Sequence, residues 1–83
     1  MITTLKETCS YMMSDDYKDR FKAEYHQLRI RFESLKEMLD KWDRNELQFK
    51  PTCPRDTYNW QFKDMEDYLQ ILKIRANMAG IEM

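Results

Sequence analysis

Apolar side chains recur along most of this chain in alternating steps of four and three residues. Phe21, Tyr25, Leu28, Phe32, Leu35, Leu39 and Trp42 form one series, and Tyr58, Phe62, Met65, Leu69, Leu72, Ala76 and Ala79 form a second. In an α-helix of 3.6 residues per turn this spacing keeps every member on one side, so each series predicts a long amphipathic helix with a heptad seam. A shorter series of Ile2, Leu5, Cys9 and Met12 predicts a brief helix ahead of them. There Thr4 and Glu7 stand at the Thr-x-x-Glu spacing of a capping box.

The polar punctuation between the series sets the boundaries. Ser14 is a good N-cap for the second helix, and Asp15 and Asp16 sit where the helix dipole favours negative charge. The run DRNELQFKPTCPRD, with Pro51 and Pro54, breaks the pattern. Leu47 and Phe49 inside it are expected to fold back over the end of the core. Pro54 suits the first turn of the third helix, with Thr52, Asp56 or Thr57 as caps, and Gly80 suits a left-handed C-cap. The expected elements are helices at about 4–13, 15–43 and 55–79 and a loop at 44–54, in one domain spanning 1–83. Lys36/Asp40, Glu37/Lys41 and Asp40/Arg44 are spaced to pair across a helical turn on the outer face.

Two helices of similar length joined by one loop predict an all-α fold, an antiparallel two-helix hairpin with the short N-terminal helix lying across one end. The seams do not absorb all the apolar residues. Trp60, Ile71, Ile74 and Met78 lie off the main stripe of the third helix, Tyr68 lies beside it, and Ile30 is opposite the seam of the second. A helix that is apolar on more than one side is normally covered on more than one side. At 83 residues the chain also has little core of its own to rely on. These six residues are therefore the expected oligomer or partner interface, in a dimeric four-helix bundle or a higher oligomer.

Composition narrows the setting. Fourteen basic residues against fifteen acidic ones leave a net charge of −1, which argues against duplex DNA as a partner. No apolar run approaches the roughly 20 residues of a membrane span, and the opening MITTLKETCSYMM lacks the layout of a signal peptide. Cys9 and Cys53 are too few for a disulfide framework and show no metal-ligand spacing. The expectation is a cytoplasmic protein with reduced thiols, no metal and no cofactor.

Candidate chemistry is sparse. His26 has no nucleophile or acid at a triad-like spacing, Cys53 sits in a Pro-Thr-Cys-Pro turn, and Asp64, Glu66 and Asp67 read as an outer helix face. With a single glycine there is no phosphate-cradling loop. These features predict a protein that is not an enzyme. Binding is the better expectation, because five tyrosines, two tryptophans and several arginines are residue types that dominate interfaces. Arg20, Lys22, Arg29, Arg31 and Lys36 give the second helix a basic side near Tyr17 and Tyr25. Tyr17, Arg20, Tyr25, Arg29 and Arg75 are the candidate ligand or partner contacts, since rings and guanidinium groups together hold nucleotides by stacking and charge-assisted hydrogen bonds. A solvated face balanced by Asp19, Glu24 and Glu33 accounts for the same charges.

DYKDRFKAEYHQLRIRFESL, a Leu-x-Phe-x-Pro-x-Cys-Pro loop, and the helix Gln61-x-x-x-Met65-x-x-Tyr68-Leu69-x-x-Leu72-x-x-Arg75-Ala76 ending near Gly80-Ile81 resemble a family of small helical proteins of bacteriophages and prophages, including relatives from crAss-like phages. The resemblance spans roughly 16–83. It implies a phage accessory protein acting in the bacterial host cytoplasm, with Tyr17, Arg20, Glu24, Tyr25, Leu28, Gln61, Met65, Tyr68 and Arg75 as pattern positions. Small phage proteins of this kind often counter host defence. The leading expectation is an anti-CRISPR-like inhibitor that blocks a host defence protein. The alternatives are an oligomeric sponge for a defence signalling nucleotide and a structural or regulatory subunit of phage machinery.

Overall fold

The computed structural model describes residues 2–83. A 3-10 turn, Lys6–Thr8, leads into α1 (Cys9–Met12), followed by α2 (Tyr17–Asp43) and α3 (Arg55–Ala79). No strand occurs among the described residues. The long helices match the two seams closely, whereas the N-terminal helix is shorter than its spacing suggests. Glu7 explains part of that: its carboxylate accepts from both Thr3 and Thr4 while its N–H bonds back to Thr4. These contacts hold a tight turn rather than starting a long helix, and they draw the Glu7 carboxyl below its ordinary pKa range.

The caps differ in detail from expectation. Asp16, not Ser14, is the N-cap of α2, accepting from the Lys18 N–H at 2.9 Å. Ser14 instead accepts from the Asp16 N–H and donates to Asp19. Pro54 occupies the N-cap of α3 with no side-chain cap. Both long helices stop in the same way. Gly80 and Asn45 take left-handed φ of 67° and 58°, and the N–H of the next residue reaches back five positions, Ile81 to Ala76 at 2.9 Å and Glu46 to Lys41 at 2.8 Å. Asparagine is among the few residues that tolerate this conformation, and the closure satisfies carbonyls that the helix end leaves open.

α2 and α3 pack side by side with their contacts in opposite order along the chain. Tyr17 meets Arg75, Glu24 meets Tyr68, Phe32 stacks on Phe62 at 4.7 Å, and Trp42 lies edge-on to Tyr58 at 5.8 Å. Burial along this seam is uneven. Phe21, Tyr25, Leu69, Leu72, Ala76 and Ile81 form the core cluster near the start of α2 and the end of α3, with Leu28 and Phe32 against it. Toward the loop Trp42, Tyr58, Phe62 and Met65 are only half-buried, and Ala79 beyond the cluster is exposed. There Arg55 closes the gap, paired with Asp43 at 2.5 Å and lying 5.3 Å from the Trp42 ring. Leu47 folds partly inward, but Phe49 stays 57% exposed. The loop therefore covers the core end with one apolar residue instead of two. Of the three outer-face pairs expected on α2, Glu37 and Lys41 meet, at 3.3 Å.

The N-terminal segment runs along α2 rather than capping the end of the helix pair. Thr8 is fully buried, donates to Leu5 O at 2.6 Å and accepts from the Gln27 side chain at 2.8 Å. Ala23, 1% exposed, lies outside the α2–α3 cluster and on the face that this segment covers. Ile30 is half-buried.

Candidate binding surface

The uncovered apolar residues concentrate on one helix. Trp60, Ile71, Ile74 and Met78 are 54 to 83% exposed and Tyr68 is 40% exposed, all on α3. The molecule is a rod of 43 × 24 × 18 Å with a radius of gyration of 14.9 Å, against about 12 Å for a globular domain of this length. Its surface of 6263 Å² exceeds by about 900 Å² the roughly 5,350 Å² expected of a folded monomer of this mass. That excess is close to the ~800 Å² that one partner contributes to a standard protein interface.

A second feature lies beside this face, where the start of α2 meets the end of α3. The Arg75 guanidinium sits 5.0 Å from the Phe21 ring centroid and donates to the Tyr17 hydroxyl at 2.9 Å. Tyr17 and Phe21 are inclined rings 6.2 Å apart. Two turns away the Tyr68 hydroxyl donates to Glu24. That contact, reinforced by burial, pushes the Tyr68 pKa up, so the phenol keeps its proton. Four pattern positions far apart in sequence thus form two cross-helix pairs. Tyr17 and Arg75 are both exposed to solvent. Phe21 was not among the candidate residues, because its seam position marks it as core, and it is 3% exposed. Its ring nevertheless orients the arginine.

The other candidates are engaged elsewhere. Tyr25 is buried in the core with its ring edge-on to His26 at 5.1 Å. Arg20 donates to Ser14 O at 2.8 Å and holds the turn before α2. Arg29 divides its N–H groups between His26 Nδ1 at 3.2 Å, Glu33 at 3.1 Å and Ile2 O at 2.9 Å. It therefore straps the N-terminal segment to α2. The i, i+3 spacing of His26 and Arg29 was visible in the sequence, whereas their link to Ile2 was not.

The Arg29 strap depends on an unprotonated imidazole, because Nδ1 accepts the Arg29 proton. Burial and then the positive charges of Arg29 and Lys22 hold the His26 pKa below the ordinary histidine value. The unfolded chain consequently binds the proton first, at about pH 6.5. The strap's contribution is complete above that value and is lost as pH falls toward the lower folded pKa. The protection of amides at residues 5–13, taken relative to intrinsic exchange at each pH, is expected to fall on acidification through this window, ahead of protection in α3. His26→Gln should flatten the response. Protection in that segment that did not change between pH 7.5 and 5 would exclude a strap of this kind.

No group of three or more metal-ligating side chains occurs among the described residues. No helix there is long and apolar enough to cross a membrane. Both cysteines are free and exposed. A family model described as Sequestin matches residues 15–78. No curated protein and no solved structure matches the chain.

Proposed function

The chain belongs to the Sequestin family, and we propose that it works as its family name suggests, by sequestration. In this reading it is a non-enzymatic, self-associating helical protein that holds a defence signalling nucleotide and keeps it from its receptor. The setting is the one implied by the phage resemblance, the cytoplasm of an infected bacterium. The family description supports this sponge ahead of the blocking of a protein effector.

The observation that carries it is the Tyr17–Phe21–Arg75 cluster. A guanidinium already fixed by one ring loses little freedom on meeting a phosphate, and an exposed tyrosine ring is a stacking partner for a base. In this reading the surface binds without chemistry. A sponge requires only that binding be tight and that the ligand be released intact.

Thermal stability measured against cyclic mono-, di- and trinucleotides and ADP-ribose-type nucleotides tests the proposal. A true ligand at a hundred times its Kd should add about 2.7 kcal/mol of stability. It should be recovered chemically unchanged after the protein is denatured. Arg75→Ala is expected to weaken that ligand about 10- to 100-fold, equivalent to roughly 1.4–2.8 kcal/mol, with helix content retained. A panel in which no nucleotide shifts the melting curve, or an Arg75→Ala protein that binds as well as the parent, would refute the reading.

A further inference from the structure

We propose that the small cavity between the N-terminal segment, α2 and Met83 is a binding site for a phosphate monoester, and that an anion held there latches the segment onto α2. The site stands apart from the Tyr17–Phe21–Arg75 cluster and does not rest on the sequestration reading.

The cavity measures about 190 Å³ and is lined by Ile2 and Tyr11 from the segment, Lys22 and His26 from α2, and Met83 beyond α3. Tyr11, Lys22 and His26 carry hydrogen-bond donors, and all three are half-buried. The tautomer of His26 follows from the strap on its other edge. Because Nδ1 accepts the Arg29 Nε–H at 3.2 Å, the neutral ring carries its own proton on Nε2, and that nitrogen is a donor. Lys22 lies four residues earlier on the same side of the helix, close enough for its charge to act on the imidazole. Among the described residues no carboxylate pairs with Lys22. Asp19, one turn before it, is taken by the Ser14 hydroxyl, and Glu33 by Arg29.

An ammonium, an imidazole N–H and a phenol suit an anion, since a charged acceptor strengthens each hydrogen bond. Three donors match the three free oxygens of a phosphate monoester better than the two of a carboxylate. Volume separates the ester from the bare ion. The cavity is smaller than the roughly 300–1,000 Å³ of pockets for drug-sized ligands but several times the roughly 30 Å³ share of a water molecule. It has room for a short substituent beside the phosphate, against Ile2 and Met83. Arg29 ties Ile2 to α2 from the Nδ1 side of the imidazole. An anion on the Nε2 side, shared with Tyr11, ties the segment a second time.

His26 is the only histidine, so its imidazole NMR signals report on the site without ambiguity. At pH 7.5 and constant ionic strength, inorganic phosphate and glycerol 3-phosphate should each move these signals saturably, with the ester binding at least as tightly. Both should raise amide protection at residues 5–13. Acetate should move the signals weakly and without saturation. Lys22→Gln should weaken both phosphates roughly 10- to 100-fold, the loss expected for one hydrogen bond to a charged group. No saturable shift, a response that acetate reproduces, or an ester that binds more weakly than inorganic phosphate would overturn the proposal. Saturation that survives Lys22→Gln, or that brings no gain in protection at residues 5–13, would overturn it as well. Arg75→Ala should leave every one of these readouts unchanged, so a failure of nucleotide binding and a failure of this site are told apart.

Discussion

Replacing Leu72 with aspartate is expected to abolish cooperative unfolding and most of the far-UV helical signal at 25 °C. Leu72 is fully buried at the centre of the cluster formed by Phe21, Tyr25, Leu69, Ala76 and Ile81. Truncating a buried leucine costs about 2–5 kcal/mol, and placing a carboxylate in the same site adds several more. The total stability of a chain this short is roughly 4–12 kcal/mol at ordinary per-residue values. A core concentrated at one end of the helix pair has no second cluster to fall back on. Circular dichroism and a melting curve decide the matter. A Leu72→Asp protein that melts like the parent would mean that the cluster does not hold the fold together.

The second large effect is expected two residues further along the same helix, with the opposite signature. Ile74 is 58% exposed, so Ile74→Asp should leave helix content and core intact while splitting the assembly. By symmetry each dimer carries the change twice. Losing roughly 1.5–3 kcal/mol of burial per isoleucine lowers the association constant by about two to four decades. Sedimentation at micromolar concentration should show the parent at twice the 10.3 kDa chain mass or above, and the variant at the chain mass. A parent that sediments as a compact monomer would remove the premise of self-association. A variant whose mass is unchanged would assign the α3 face some other use. Leu72→Asp and Ile74→Asp together separate the two faces of α3, because the same substitution two positions apart removes the fold in one case and only the partner in the other.

The long elements were legible because helical periodicity is local. Steps of four and three bring side chains to one face whatever lies opposite, so Phe21 to Trp42 and Tyr58 to Ala79 mark α2 and α3 before any partner is known. The left-handed end at Gly80 was legible for the same reason. Its counterpart at Asn45 was missed, since asparagine occupies many conformations and only the Glu46 bond back to Lys41 shows which one holds here. Ser14 and Asp16 were both adequate caps by composition, and which one meets the Lys18 N–H depends on a turn angle that residue identity does not encode.

The candidate site was legible only as a set of residue types. Five positions were equally plausible as ligand contacts, yet Tyr25 enters the core, while Arg20 and Arg29 hold the turn and the N-terminal segment. Tyr17 and Arg75 lie 58 positions apart, and no local pattern links them. Phe21 was hidden by its own seam position.

The sequence by itself determined that this protein is helical, where its two long helices run, and that they carry more apolar surface than one seam can bury. Those properties follow from side-chain spacing and from short-range sterics. The tertiary structure decided which surplus residues stay uncovered, which arginine meets which ring, and where the N-terminal segment lies. Those outcomes depend on how two rods and a strap divide a limited area of contact, and such a division exists only once the chain has come together.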